Sequence, residues 1–311
     1  MHLQTSSQAA VRADETRPNM AIARDIAMAA YSSPMPGKES IFRLAAAREI
    51  AIAQGRSRRF GIRQRADWQR LAPSVVGEPA FLLGGGPSVL QLTRAHFSFM
   101  EHGVSMSHEW WIGRHDFVPN VIWAETTTTA TWQTLSDFAH NGRLHHILVT
   151  RVLPVGNNKS IAALPAALQP KTFSYTALSG LGLSPSTHQT FLERAILYAQ
   201  TRKGVAAPDY STLERMLFAL AIAGHKRAVL CGYDLEGRYF YAEGCEGPRK
   251  NPDGKFAISR SLCERDRILL LLETLAHQFG FEAQLWFPQG RLAPYLSTYR
   301  PPADWGLPEE G

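Results

Sequence analysis

From about residue 76 the chain alternates short apolar runs with stretches of helical period. Pro79–Leu83 is such a run, ends in Gly-Gly-Gly-Pro-Ser, and is followed by a helical stretch to about Met100. Val118–Ala124 and His145–Val149 read as further strands, with a helix near 130–140 between them. Leu213, Met216, Leu217, Leu220 and Ile222 mark one face of a helix that ends at Gly224. Arg227–Cys231 is then a buried strand, Ile268–Phe279 a Leu-rich helix closed by Gly280, and Phe281–Phe287 the last strand. Alternation of this kind predicts a Rossmann-like α/β fold, a mostly parallel sheet with helices on both faces.

The N-terminal quarter reads differently. Residues 1–19 are polar, and two Ala-rich stretches follow, Asn19–Tyr31 and Ser40–Ala53, separated by Ser-Ser-Pro-Met-Pro-Gly. In the second stretch Ile41, Leu44, Ala45, Ile50 and Ala51 define the expected buried face, with Ser40 as N-cap. Arg56, Arg58, Arg59, Arg63, Arg65 and Arg70 come next. The expected division is a basic helical extension over 1–75 and a Rossmann-like nucleotide-sugar domain over 76–311. Within the domain, the Pro- and Gly-rich stretch 152–187 is expected to be a lid or loop region.

Composition changes this picture only in part. The 311 residues are 45% hydrophobic and 19% charged, which excludes wholesale disorder. The formal charge is +6, but residues 76–311 hold 21 basic and 21 acidic residues, so the whole excess lies in 1–75. A basic groove through the domain is therefore excluded. With only Phe60 and Trp68 among the arginines, nucleic acid is not expected as a partner, and an anionic membrane surface docking on residues 56–70 is. Three cysteines without CxxC spacing, no secretory h-region and no long apolar run point to a cytoplasmic protein, peripheral at the inner membrane.

The strongest chemical signal is Gly84-Gly85-Gly86-Pro87-Ser88. A strand ends there, the glycines relax backbone restrictions, and Pro87 suits the first position of a helix. The N–H groups of such a turn can hold a phosphate. Val89 breaks the dinucleotide spacing, and no Gly-Lys-Ser/Thr follows. Gly232 and Asp234, just past a buried strand, are expected at the same sheet edge; the carboxylate could meet a ribose hydroxyl or close an Asx turn. Tyr239 and Tyr241 could donate hydroxyls to a phosphate or simply pack. His108, beside Glu109, is a candidate general base or a surface histidine. Nothing has metal-ligand spacing, so neither metal nor cofactor is expected.

Together these stretches resemble the bacterial sialyltransferases of glycosyltransferase family 42. The resemblance extends to the related motility-associated flagellin glycosylation proteins and an archaeal pterin pyrophosphokinase. Gly84–Ser88 matches the family's Gly-x-Gly-Pro-Ser, Ser211-Thr212 its Thr-Ser before the middle helix, and Gly232 and Asp234 its Gly-x-Asp-Phe. The closing Trp286–Gly290 looks like its last strand and Pro-containing loop. The resemblance covers about residues 76–297. It implies inverting, metal-independent transfer of a sialic acid-like or Kdo-like sugar from a CMP-linked donor to a surface glycan or glycolipid. The glycine loop would hold the nucleotide phosphate, and Tyr239 and Tyr241 the donor phosphate. Departures are specific: Ser107 stands where the family has an Asn, and Ser261 where it has the general-base His. The base is then sought at His108 or Glu125. A pyrophosphokinase-like transferase and a non-catalytic nucleotide- or glycan-binding relative are the alternatives, and a homo-oligomer is compatible with either.

Overall fold

A computed structural model describes residues 38–75, 77–108, 111, 116–124, 129–149, 159–178, 185–236 and 258–302. The helices among them are α1 (Lys38–Arg59), α2 (Trp68–Leu71), α3 (Arg94–Met100), α4 (Thr129–His140), α5 (Lys159–Ala162), α6 (Pro185–Thr201), α7 (Thr212–Ala223) and α8 (Ile258–Phe279). The strands are β1 (Gln64–Arg65), β2 (Ala80–Leu83), β3 (Ser105–His108), β4 (Val121–Ala124), β5 (His146–Val149), β6 (Thr172–Ser174), β7 (Thr176–Ala177), β8 (Val205–Ala206), β9 (Arg227–Cys231) and β10 (Glu282–Leu285). Eight of them form one sheet in the order β1-β6-β5-β4-β3-β2-β9-β10, parallel throughout, while β7 and β8 pair separately.

The alternation of side chains along each strand sorts the core into two layers. Leu82, Met106, Val121, Trp123, Ala228 and Leu230 pack with residues of α1, α2, α6, α7 and α8. Phe81, Leu83 and Val229 pack on the opposite side with Phe97, Phe99 and Met100 of α3, and Ile122 and Ile147 with Trp132, Leu135 and Phe138 of α4. This is the doubly covered, Rossmann-like parallel sheet that the sequence predicts.

The N-terminal quarter departs from expectation. Residues 42–72 are built into the domain rather than appended to it. Strand β1 extends the sheet beside β6, and Phe42, Ala46, Ala66, Trp68, Leu71 and Ala72 belong to the main core. Trp68 stacks on Trp123 at 5.5 Å and 5° and donates its indole N–H to the Val205 carbonyl at 2.8 Å. The buried face of α1 matches the expected one in part. Phe42 and Ala46 are buried and the expected Ala45 and Ile50 pack against the core, whereas Leu44 is 73% exposed and Ala51 is exposed. Arg65 leaves the basic cluster altogether, since its guanidinium donates to the carbonyls of Lys203 and Gly204 and to Thr176 Oγ1. Burial lowers its pKa to about 10.

The expected lid is also partly sheet. Within 152–187, β6 and β7 are strands, Ala166–Lys171 is a 3-10 turn, and α6 begins at Pro185. Three-residue strands flanked by prolines carry too little periodicity to be read from sequence.

Candidate active site at the carboxyl edge of the sheet

From β2 the chain runs outward through β3, β4, β5 and β6, whereas β9 and β10 lie on its other side. Strand order therefore reverses between β2 and β9, and in an open parallel sheet ligands bind outside the strand ends at that switch point. The two turns that the sequence singles out meet there. Gly84 donates its N–H to the Cys231 carbonyl and Gly86 to the Gly232 carbonyl, both at 2.7 Å. The backbones approach so closely that a β-carbon on Gly84 would overlap the Gly232 carbonyl, and one on Gly86 the Asp234 carboxylate. Two of the three glycines are thus required by turn-on-turn packing.

Asp234 is the clasp of this junction. It is buried, and its Oδ2 accepts the Ser88 N–H at 2.9 Å at the start of the 3-10 turn Pro87–Gln91. In return the Gly232 N–H donates to Ser88 Oγ at 3.1 Å. Burial raises the Asp234 pKa against the opposing effect of the Ser88 bonds. Its carbonyl accepts the Arg291 N–H at 2.8 Å, and Gly290 lies so close above it that no side chain fits there. Leu235 follows with φ +55°, a left-handed conformation unusual for a branched residue. The carboxylate's observed bond is to Ser88, 146 residues away, and so differs from a local Asx turn. The amides of Gly84, Gly86 and Ser88 are used internally, and the Gly85 N–H has no protein acceptor among the described residues.

The remaining sequence candidates are distributed unevenly. Ser107 and His108 end β3, and Ser107 pairs in register with Leu83, so both stand next to the glycine loop. Ser107 is fully buried and its hydroxyl donates to the His108 carbonyl at 3.3 Å. His108 is half-buried. Glu125, Tyr239 and Tyr241 lie outside the described residues, and Ser261 is placed only as a backbone position in the first turn of α8.

Ser211 and Thr212 lead to a group of residues not anticipated from sequence. Ser211 caps α7, accepting the Glu214 N–H at 3.3 Å and donating its hydroxyl to Glu214 Oε2 at 2.9 Å. Because α7 runs antiparallel to the strand it precedes, this cap lies on the carboxyl side of the sheet. Arg267 of α8 reaches Glu214 at 3.5 Å and lies 4.6 Å over the Tyr210 ring. Tyr210 stacks on His188 near the start of α6, with Oη 3.3 Å from Nδ1. Arg215 pairs with Asp209 at 2.7 Å, both buried. Burial pushes Glu214 up to about 7 against the pull of Arg267 and Ser211. Burial, then the charge of Arg267, pushes His188 down to about 4. Burial, then Glu214, pushes Tyr210 up to about 12.

His188 is therefore a neutral imidazole at physiological pH, and its Nε2 is buried without a hydrogen-bond partner. The group is a buried network of ionisable side chains on the carboxyl side of the sheet, with the Arg215–Asp209 and Arg267–Glu214 pairs inside it. The Ser-x-x-Glu spacing from Ser211 to Glu214, a capping-box pattern, is a sequence signal that could have found it. His188 and Arg267 lie 23 and 56 residues from the Ser211 cap, without a local pattern.

No family model matches the sequence, and no curated protein matches it. Among solved structures, the MAf glycosyltransferase from Magnetospirillum magneticum AMB-1 aligns with a TM-score of 0.44 and 12% identity. The alignment covers 84% of this chain and 39% of that one, so the chain spans about two fifths of that protein's length.

Proposed function

We propose that this protein is a glycosyltransferase that moves an acidic sugar, of the sialic acid or Kdo type, from a CMP-linked donor to a hydroxyl of a glycan or glycolipid. The observation that carries this reading is the meeting of Gly84–Ser88 with Gly232–Leu235 at the β2/β9 switch point. Those are the two motifs on which the family resemblance rests, and they converge where a nucleotide is held in such folds. The capped start of α7, with Ser211 and Thr212, lies on the same side.

In this reading the acceptor oxygen forms a bond to the anomeric carbon as the bond from that carbon to the phosphate oxygen breaks. The electron pair leaves with CMP, and configuration inverts. Hydrogen bonds to the departing phosphate supply the stabilisation. The Gly85 amide and the hydroxyls of Tyr239 and Tyr241 are assigned to that task. The acceptor's proton passes to a base, for which His108 is the first candidate by its place beside the glycine loop, ahead of Glu125 and Ser261. Arg56, Arg58, Arg59 and Arg63 carry the proposed contact with an anionic lipid surface.

A second reading, a nucleotide-binding relative without turnover, is favoured by the internal use of three loop amides. Release of CMP from CMP-linked sialic acid or CMP-linked Kdo, in the presence of a glycan acceptor, separates the two. Catalysis predicts turnover that falls by about 100-fold or more in His108→Ala. CMP binding with no release from either donor contradicts the transferase.

A further inference from the structure

The opposite, amino edge of the sheet carries a second concavity. It encloses about 280 Å³ and is lined by Arg70, Glu78, His102, His145, His146 and His225, among others. These residues come from the segments that enter β2, β3, β5 and β9 and from α2, so five parts of the chain converge on one cleft.

Basic groups at this edge have an ordinary explanation. Helices end here with unpaired carbonyls, which attract cations. That explanation accounts for some of them: Lys171 donates to the Leu144 carbonyl at 2.9 Å, and His102 Nδ1 meets the Ser98 carbonyl at 2.9 Å. It does not account for the others. Arg70 donates its backbone N–H to the Asp67 carbonyl at 3.1 Å and its charge acts on the Asp67 carboxylate, while His145 is exposed at the rim. His225 is 3% exposed; its Nε2 lies 3.0 Å from the Ala72 carbonyl, while its Nδ1 is buried with no partner. Burial, then the charges of His145, Lys171 and Arg70, opposes protonation of His146, and Glu78 is the single acidic side chain of the lining. The lining thus offers one guanidinium, four imidazoles and one carboxylate.

We propose that this cleft binds a phosphate group, free or carried on a small molecule. Its size, the Arg70 guanidinium and the imidazoles of its lining suit an oxyanion that can share a proton. A phosphate monoester changes charge near neutrality, as imidazoles do. His225 can take up a proton at Nδ1 and donate it once an anion is present, which gives that buried nitrogen the partner it lacks. The site is on the far side of the sheet from the nucleotide-binding edge and is independent of the glycosyltransferase reading.

Thermal unfolding of the full chain tests this, with inorganic phosphate and ribose 5-phosphate titrated at constant ionic strength against chloride. The expected result is a saturable rise in Tm with at least one of the two. Arg70→Gln combined with His145→Gln should weaken the apparent affinity at least tenfold while leaving CMP binding and the Tm in chloride unchanged. Response to ribose 5-phosphate alone identifies an organic monoester, and response to both identifies the oxyanion itself. Imidazole Hε1 resonances of wild-type His145, His146 and His225 should shift on phosphate addition, a readout that needs no variant. No rise beyond chloride, an equal rise in the double variant, unmoved histidine resonances, or stabilisation by zinc in place of phosphate would each overturn the proposal.

Discussion

Asp234 Oδ2 accepts the backbone N–H of Ser88 at 2.9 Å, across 146 residues of sequence. With the reciprocal bond from Gly232 to Ser88 Oγ, it locks the turn after β9 onto the turn after β2. Asp234→Ala leaves a buried N–H without an acceptor and is expected to cost about 1–3 kcal/mol. Asp234→Asn retains an acceptor oxygen and should cost measurably less. Denaturant midpoints of the two variants check this, and equal losses would show that the bond is not what holds the turns.

The glycines give a sharper contrast. Gly86→Ala would place a β-carbon against the Asp234 carboxylate and is expected to destabilise by about 1–3 kcal/mol through overpacking. Gly55, inside α1, has open space where its β-carbon would lie. Gly55→Ala should therefore stabilise by about 0.5–1 kcal/mol. Thermal unfolding of both variants gives the two signs directly.

Glu214 makes stability depend on pH. Its folded pKa of about 7 exceeds the ordinary value of 4.5, so the folded state binds the proton more tightly than the unfolded state. The Glu214 contribution is then most favourable below about pH 4.5 and is lost as pH rises towards about 7, by roughly 3 kcal/mol. Glu214→Gln removes this dependence. Relative to wild type, the variant should gain stability steadily from pH 4.5 to 7 and no further above it. The opposite effect of His188, whose lowered pKa costs stability as pH falls below 6.5, is common to both proteins and cancels in the difference.

Trp68 tests whether the N-terminal quarter belongs to the domain. Its loss unstacks Trp123 and frees the Val205 carbonyl. Trp68→Ala is expected to cost about 3–5 kcal/mol. A chain beginning at residue 76 also lacks β1 and should fail to give a cooperative transition by circular dichroism. A cooperative transition at wild-type temperature would restore the boundary near residue 75.

The elements legible in the sequence are those whose own residues fix them. Arg227–Cys231 is a run of buried β-formers with matching ends in the structure, and the helix from Thr212 is bounded by the Ser211 cap and by Gly224 with φ +98°. The glycine loop and the Gly232–Asp234 turn are legible as neighbours on one sheet edge, but their direct contact is not, because the Gly84–Gly232 approach depends on sheet order rather than on spacing. Strand β6 is not legible because three residues beside Pro170 show no period, and the inner face of α1 is legible only in part because Ile41, Phe42, Leu44, Ile50 and Ile52 are spread around the helix and mark no single stripe. His188 was invisible for a related reason: only tertiary packing places it against Tyr210 and Arg267.

Isothermal titration of the full chain with CMP, CDP, UDP, GDP and ATP tests the central assignment most directly. The account predicts that CMP binds more tightly than the other nucleotides, and that Gly85→Val abolishes this binding while the cooperative unfolding transition is retained. Equal or absent affinity for all five, or CMP binding unchanged in Gly85→Val, would contradict a nucleotide site at the glycine loop.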